Sequence, residues 1–412
     1  MLTAIANYTG ANRTVLALSI ARLGDAVGNS ILFIIIPLYV AKLPAPWFPL
    51  PETVLVGLLI SLYGLVNSVL QPLMGAVTDR VSRRKPLIMG GLLLMGLGTL
   101  AFVFAHQFAS LVLIRALQGI GVALTIPASL ALMATATEKR SRGGSMGIYT
   151  TMRMVGFAIG PLLGGFLHVQ FGFTAAFYAG TAAIFIGMVS VQFWVHEVPA
   201  DPSAEKGRPF HIIDRELLTA GIIGLAIATF VMASAFSMMT TLEEQFNTRL
   251  NQTALGFGVA FSALMISRLI FQIPLGRLSD YIGRKPLIIT GLLLMAPTTM
   301  LIGLVSTTFQ LTGVRLFQGL ASAGIAAPAF ALAADLSRSG GEGRQMSIIT
   351  MGFGLGIALG PLIAGFLAIY FFELPFFIGG LMSLVGAWIV YRYVPESIRR
   401  QSEQSLSLDC ES

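Results

Sequence analysis

Long apolar runs alternate with short polar segments along almost the whole chain. Each run has about 20 residues or more, which is long enough for a helix to cross the roughly 30 Å hydrocarbon core of a bilayer. The pattern therefore predicts an all-α membrane protein. Its twelve predicted spans lie at approximately 15–40, 53–75, 87–105, 109–136, 144–169, 173–195, 217–240, 255–276, 287–305, 309–335, 345–370 and 374–394.

The break between the sixth and seventh runs is longer and more polar than most of the others. It contains Pro199, Pro202 and Pro209, a composition typical of a linker. We therefore predict a six-helix bundle at 1–195, a cytoplasmic linker at 196–216, a second six-helix bundle at 217–394 and a cytoplasmic tail at 395–412.

Composition agrees with a protein surrounded by lipid. Hydrophobic residues make up 55% of the 412 residues and charged residues only 11%, with a mean hydropathy of +0.81. Such a chain has too little polar surface for a soluble protein. The net charge of +7 does not indicate a nucleic-acid partner, because the basic residues lie in short loops between apolar runs. The single cysteine, Cys410, excludes an internal disulfide.

The distribution of Lys and Arg predicts the orientation in the membrane. If both termini lie on one side, the loops of the opposite side contain only Lys42 and Arg249. The positive-inside rule then places both termini in the cytoplasm, and the short loops favour the inner membrane of a prokaryote. Of the 26 Lys and Arg residues, 19 lie on the side of the termini and five lie inside spans, where an ionisable side chain is a functional candidate: Arg22, Arg115, Arg153, Arg268 and Arg315.

Three sequence patterns recur about 200 residues apart, in the same order. The charged loop GAVTDRVSRRKPL at 75–87 returns as GRLSDYIGRKPL at 276–287. RALQG at 115–119 returns as RLFQG at 315–319, and GFAIGPLLGGFL at 156–167 returns as GIALGPLIAGFL at 356–367. The chain thus consists of one unit used twice.

These patterns resemble the signatures of the major facilitator superfamily. The charged loops are similar to its signature between helices 2 and 3 and between helices 8 and 9, and RALQG is similar to its helix 4 signature. The glycine spacing of the fifth run resembles the motif of drug:proton antiporters. The resemblance implies two pseudo-symmetric six-helix bundles that rock about a midplane site, in a protein that we expect to be a monomer.

The resemblance implies that the charged loops govern the switch between inward-open and outward-open states. An Asp at the end of a helix can pair with Arg or accept hydrogen bonds from a neighbouring helix N-terminus. The alternative is a solvated basic loop that obeys topology alone. The gating candidates are Gly75, Asp79, Arg83, Gly276, Asp280 and Arg284.

Asp25 is the one acidic residue predicted to lie well inside a span, roughly 18 Å along the first helix. Burial favours the protonated acid and a nearby Arg favours the carboxylate, so this group can load and release a proton. The resemblance adds Arg115 to proton coupling, whereas the alternative is a static pair of Asp25 with Arg22 or Arg115. At the ends of spans, where charge is cheap, we expect solvated side chains for Glu243, Glu244 and Asp335.

Several polar side chains are candidates for lining a cavity. The buried arginines outnumber the one buried carboxylate, so some of them have to bond to other groups. The alternative is an anionic substrate, for which guanidinium groups are well suited. The cavity candidates are Arg22, Asn29, Gln118, Arg153, Arg268, Arg315 and Gln318.

Small residues spaced by four in the fifth run permit close approach of another helix backbone. Proline in the same run removes one ladder hydrogen bond and permits a bend. The two interpretations are a hinge or seal between the halves and ordinary small-residue packing. The candidates are Gly147, Gly156, Gly160, Pro161, Gly164, Gly165, Gly356, Gly360 and Pro361.

Together these features predict a secondary transporter that exports drug-like or amphipathic small molecules in exchange for protons. The alternative is an exchanger or uptake system for an organic anion. We expect no enzyme activity, cofactor or metal site, because the sequence contains no nucleophile elbow, phosphate-binding loop or metal-ligand cluster. A receptor would usually carry an added signalling domain.

Overall fold

The computed structural model describes residues 12–44, 50–137, 142–195, 219–336 and 342–396, without the side chains of 79, 142–143 and 342–347. In this part of the chain twelve helices are long and apolar enough to cross a membrane. The predicted fold class, an all-α membrane protein with twelve spans, is confirmed. Nearly all of the predicted linker and tail lies outside the described residues.

The helices follow the predicted runs closely. Helix α7 stops at Ser237, and the seventh span continues through the 3-10 segment Met238–Leu242 and the short helix Glu243–Arg249. The twelve helices are α1 (Arg13–Val40), α2 (Glu52–Arg80), α3 (Lys85–Ala101), α4 (Phe108–Ala136), α5 (Arg142–Phe171), α6 (Phe173–Trp194), α7 (Ala220–Ser237), α8 (Ala254–Ile282), α9 (Arg284–Ile302), α10 (Thr308–Leu336), α11 (Glu342–Leu367) and α12 (Leu374–Tyr393).

Matching caps begin the first helix of each repeat. The side chain of Asn12 accepts a hydrogen bond from the backbone N–H of Val15 at 2.8 Å. Thr219 accepts one from the N–H of Ile222 at 3.3 Å. Each cap satisfies a backbone donor that the first turn of a helix leaves without an intrahelical acceptor.

Contacts divide the chain into two compact units. The first contains α1 to α6 together with Thr240–Met265, and the second contains α7 and the chain from Ile266 onward. The segment Thr240–Met265 therefore groups with the first unit, although the predicted bundle boundaries place it in the second. The boundaries 1–195 and 217–394 stay predictions.

The two units repeat one packing scheme. In the first, α1 packs against α5 and α6, and α3 packs against α4 and α6. In the second, α7 packs against α11 and α12, and α9 packs against α10 and α12. Helices α1 and α7 are the most buried spans. A polar side chain on either helix is therefore held inside a packed unit and away from lipid.

Candidate functional site

An ion pair lies within α1. Nη1 of Arg22 is 2.5 Å from Oδ2 of Asp25, and the two side chains are 6% and 4% exposed. They are three positions apart in sequence, so one helical turn places both on the same face. This geometry fits both interpretations of Asp25: a static ion pair, and a proton-binding carboxyl that the neighbouring arginine keeps ionised.

Two buried tyrosines extend this centre. The guanidinium of Arg22 lies 5.6 Å from the ring centre of Tyr149, and that of Arg115 lies 4.6 Å from the ring centre of Tyr63. Both distances suit a cation–π interaction, which is stronger away from water. Sequence reasoning missed Tyr149; the available signal was an aromatic residue one turn before Arg153 in a span that carries a buried charge.

Arg115 is held by backbone and amide groups, and it does not pair with Asp25. Its Nε donates to the carbonyl oxygen of Leu59 at 3.2 Å, and its Nη1 donates to Oδ1 of Asn29 at 3.4 Å and to Oε1 of Gln118 at 3.2 Å. Gln118 in turn donates to the Thr99 hydroxyl at 2.9 Å. Asn29 thereby links the helix of Asp25 to Arg115.

The second unit contains a corresponding network. Nη1 of Arg315 donates to Oε1 of Gln318 at 2.6 Å and to the carbonyl oxygen of Phe236 at 3.3 Å. Gln318 donates to the Thr299 hydroxyl at 3.1 Å. Arg315 and Gln318 are fully buried. The repeated RxxQ pattern thus joins α10 to α7 and α9.

The two remaining span arginines lie beside aromatic rings. Arg153 is half-buried, lies 5.5 Å from the ring centre of Phe157 and acts electrostatically on Asp25. Arg268 is 9% exposed and lies 5.6 Å from the ring centre of Phe353. Within the described residues no carboxylate is within ion-pair distance of Arg268. It is therefore a buried cation that no described acidic side chain compensates.

The glycines of α5 pack closely on α1. A Cβ added at Gly156 would meet Cβ of Ala26, and one at Gly160 would meet Oγ of Ser30. The Ser30 hydroxyl donates to the carbonyl oxygen of Gly156 at 3.2 Å. The predicted small-residue face therefore brings α1 and α5 together inside the first unit.

The same packing recurs between α11 and α7. A Cβ at Gly360 would meet Oγ of Ser237, and that hydroxyl donates to the carbonyl oxygen of Gly356 at 3.3 Å. Gly165 does not face α1 as Gly156 and Gly160 do. A Cβ there would lie 2.5 Å from the carbonyl oxygen of Ala254. A Cβ added at Gly147 would have no other atom within 4 Å. The hinge role of Pro161, Gly164 and Pro361 stays a prediction.

Of the gating candidates, Arg284 makes the most contacts that can be described. Its Nη1 lies 2.6 Å from Oδ2 of Asp335, and its Nη2 lies 3.4 Å from Oδ1 of Asp280. Asp335 is exposed, as expected at the end of a span, and its ion-paired side chain is 26% exposed. The pair closes α9 onto α10 within the second unit.

The first charged loop also bonds to the neighbouring helix α4. Arg84 donates to the carbonyl oxygen of Ala131 at 3.0 Å. Arg83 is exposed, and Gly75 and Gly276 are partly buried in α2 and α8. The side chain of Asp79 lies outside the described set, so its predicted latch stays a prediction.

Glu243 departs from the expectation of a solvated end. Its exposure is 0%, whereas Glu244 is partly exposed. The reason is that the seventh span does not end at the predicted position near 240. The chain continues through Met238–Leu242, so the carboxyl lies within the packed span instead of beyond it.

A family model covers nearly all of this architecture. The model of the Major Facilitator Superfamily matches residues 14–256 and 221–407. The chain belongs to the major facilitator superfamily. Members of this superfamily are transporters and not enzymes, and the twelve candidate spans agree with the multi-pass membrane protein that the sequence predicted.

Individual superfamily members share moderate identity with the chain. The synaptic vesicular amine transporter of Homo sapiens is 28% identical over 333 residues, which cover 77% of this chain and 62% of that protein. The multi-drug resistance efflux pump PmrA homolog of Lactococcus lactis is 27% identical over 322 residues, covering 76% of this chain and 78% of that protein. The chain spans less than two thirds of the length of the vesicular amine transporters it matches.

Solved structures show the same fold at low identity. A bacterial homolog of the human lysosomal transporter Spinster, in an inward-facing and occupied conformation, has a TM-score of 0.76 and 14% identity, covering 92% of this chain and 95% of that chain. A D-xylose-proton symporter has a TM-score of 0.76 and 16% identity, covering 93% and 98%. Both similarities concern the superfamily fold alone.

Proposed function

We propose that this transporter exports drug-like or amphipathic small molecules in exchange for protons, with Asp25 as the proton carrier. The observation that carries the proposal is the buried Asp25–Arg22 pair, which lies on the most buried span of the first unit. A titratable group at such depth is expensive, and it persists where it serves transport.

The geometry supplies a simple proton cycle. With Asp25 ionised, its carboxylate accepts the hydrogen bond of Arg22. When a proton binds, the attraction ends and Arg22 keeps the ring of Tyr149 as its described neighbour. Release of the proton restores the pair. The two protonation states thus favour different positions of Arg22, and this difference is what a coupled transporter needs.

The fixed position of Arg115 supports a division of labour. Its bonds to Asn29, Gln118 and the backbone hold a permanent positive charge near the site without neutralising Asp25. In this proposal Asn29 transmits a shift of α1 to Arg115 on α4, and Arg153, whose charge acts on Asp25, favours release of the proton.

The names of two relatives agree with the proposed substrate class. One is called an amine transporter and the other a multi-drug resistance efflux pump. An organic cation also suits exchange for a proton. An ionised Asp25 attracts such a substrate, whereas a protonated Asp25 does not. We further propose a monomer in the cell membrane with both termini in the cytoplasm.

The second candidate is exchange or uptake of an organic anion. It is favoured by Arg268, a buried cation without a described carboxylate partner. Arg115 and Arg315 support it less, because backbone and amide oxygens already accept their hydrogen bonds.

The test is transport by the purified protein in sealed liposomes with a proton gradient. Tetraphenylphosphonium serves as the cationic probe and benzoate as the anionic one, and a pH-sensitive dye reports proton movement. We expect cation-dependent proton flux that Asp25→Asn abolishes and that Glu52→Gln, at the exposed start of α2, retains. Benzoate exchange that is lost in Arg268→Gln and insensitive to the gradient would instead establish the anion transporter.

A further inference from the structure

A second carboxyl group inside a span is left unused by the proposed cycle. Glu243 is 0% exposed and lies within the seventh span, directly after the 3-10 segment Met238–Leu242. Every residue of that segment is at most 2% exposed. Irregular backbone at membrane depth is tolerated only inside protein or beside a cavity, and interrupted helices are where transporters bind ions.

The polar atoms around Glu243 lack donors. Neither Oε1 nor Oε2 of Glu243 accepts a hydrogen bond from a described residue. The side-chain oxygens of Gln245 and Asn247, in the same short helix, also accept none. Asn247 lies one helical turn beyond Glu243, so its side chain shares the face of the carboxyl, and no described residue of another helix donates to that carboxyl.

No described cation compensates a charge on Glu243. The Asn247 side chain lies close enough to act on the carboxyl, although outside hydrogen-bond geometry. Glu244 acts on it as a like charge, and it also acts on Glu52 at the start of α2. Helix α1 packs against the short helix, but Lys42, just beyond its end, lies 4.8 Å over the ring of Phe173. Arg249 is exposed at the far end of the short helix.

These surroundings favour the neutral acid. A carboxylate buried without a partner costs several kcal/mol even after the protein relaxes. Protonation removes that charge and converts one oxygen into an O–H donor. The hydroxyl can then donate to the side-chain oxygen of Asn247, an acceptor that otherwise has no described donor.

We propose that Glu243 is a second proton-binding site of the transporter, occupied in this conformation and emptied when the break at Met238–Leu242 opens to water. Its place in the transport cycle rests on the proposed function. The segment Thr240–Met265 groups with the first unit although its flanking residues group with the second. Any relative movement of the units therefore acts on the chain beside Glu243.

The test compares Glu243→Gln with Glu244→Gln in the full-length protein. Gln is close in shape to a protonated Glu, so Glu243→Gln is expected to fold, and Glu244→Gln removes a partly exposed carboxyl one residue away. Infrared spectra at neutral pH report the carbonyl stretch of protonated carboxyl groups. Proton and tetraphenylphosphonium movements in liposomes report the number of protons exchanged per cation.

We expect a protonated-carboxyl band that Glu243→Gln removes and Glu244→Gln retains. We also expect Glu243→Gln to exchange one proton fewer per cation than the native protein. A band unchanged in Glu243→Gln overturns the proposal. A lost band with an unchanged proton number also overturns it, because the proton is then never released. If the native protein moves no protons, the proposed function fails, whereas a band lost only in Glu243→Gln still establishes the proton site.

Discussion

Replacing Asp25 and Arg22 singly and together distinguishes a coupled ion pair from two independent polar residues. The variants are Asp25→Asn, Arg22→Met and their combination. The two charged atoms are 2.5 Å apart and the side chains are 4% and 6% exposed, so water screens their attraction weakly. Each single variant leaves one buried charge without its counter-charge, whereas the double variant removes both charges of the pair.

The short distance and the burial of the pair set the size of the expected loss of stability. Unit charges 4 Å apart attract by about 4 kcal/mol at an effective dielectric constant of 20. Removal of one member of a buried pair costs about 3–5 kcal/mol. The amide introduced by Asp25→Asn keeps a carbonyl acceptor for Arg22, so we expect about 3 kcal/mol for each single variant. The double variant is expected within about 1 kcal/mol of the native protein, since neutral replacements of buried pairs are tolerated.

The assay is reversible unfolding in mixed micelles with increasing sodium dodecyl sulfate, followed by intrinsic fluorescence. The free energies of unfolding of the four proteins form a double-mutant cycle, whose coupling term we expect to be at least about 3 kcal/mol. Single-variant losses that simply add in the double variant would refute the reasoning. The two residues would then not interact, and the proton cycle would lose its first step.

Further variants test the packing and the charged loop. Gly160→Ala is expected to destabilise by about 1–3 kcal/mol, because its Cβ would meet Ser30. Gly90→Ala, with open space at the Cβ position, is expected to gain about 0.5–1 kcal/mol; equal effects of the two changes contradict the close packing. Asp335→Asn removes the partner of Arg284 but lies in a partly exposed pair, so we expect a stability loss of at most about 1 kcal/mol together with a changed transport rate. An unchanged rate contradicts a gating role for this pair.

The spans could be predicted from the sequence because the bilayer imposes one length and one composition on every crossing helix. The predicted spans and the twelve helices agree closely, with the first run at 15–40 and α1 at Arg13–Val40. The pairing of Arg22 with Asp25 could also be predicted, since residues three apart share a helix face. Both predictions rest on local chain geometry.

Contacts between distant helices could not be predicted in the same way. The partners of Arg115 come from α1 and α2, and that of Asp335 comes from the start of α9. These contacts depend on the rotation and tilt of packed helices, which hydropathy does not fix. Glu243 was misplaced for a related reason, because composition does not reveal that the seventh span continues through a 3-10 segment.

Proton release on substrate binding tests the central claim, that Asp25 carries the coupled proton, most directly. Purified protein in weakly buffered detergent is mixed with tetraphenylphosphonium while a pH-sensitive dye records protons entering solution. We predict release from the native protein and from Glu52→Gln, and a loss of the Asp25 share in Asp25→Asn, which still folds. Undiminished release from Asp25→Asn would contradict the account and assign the coupled proton to another group.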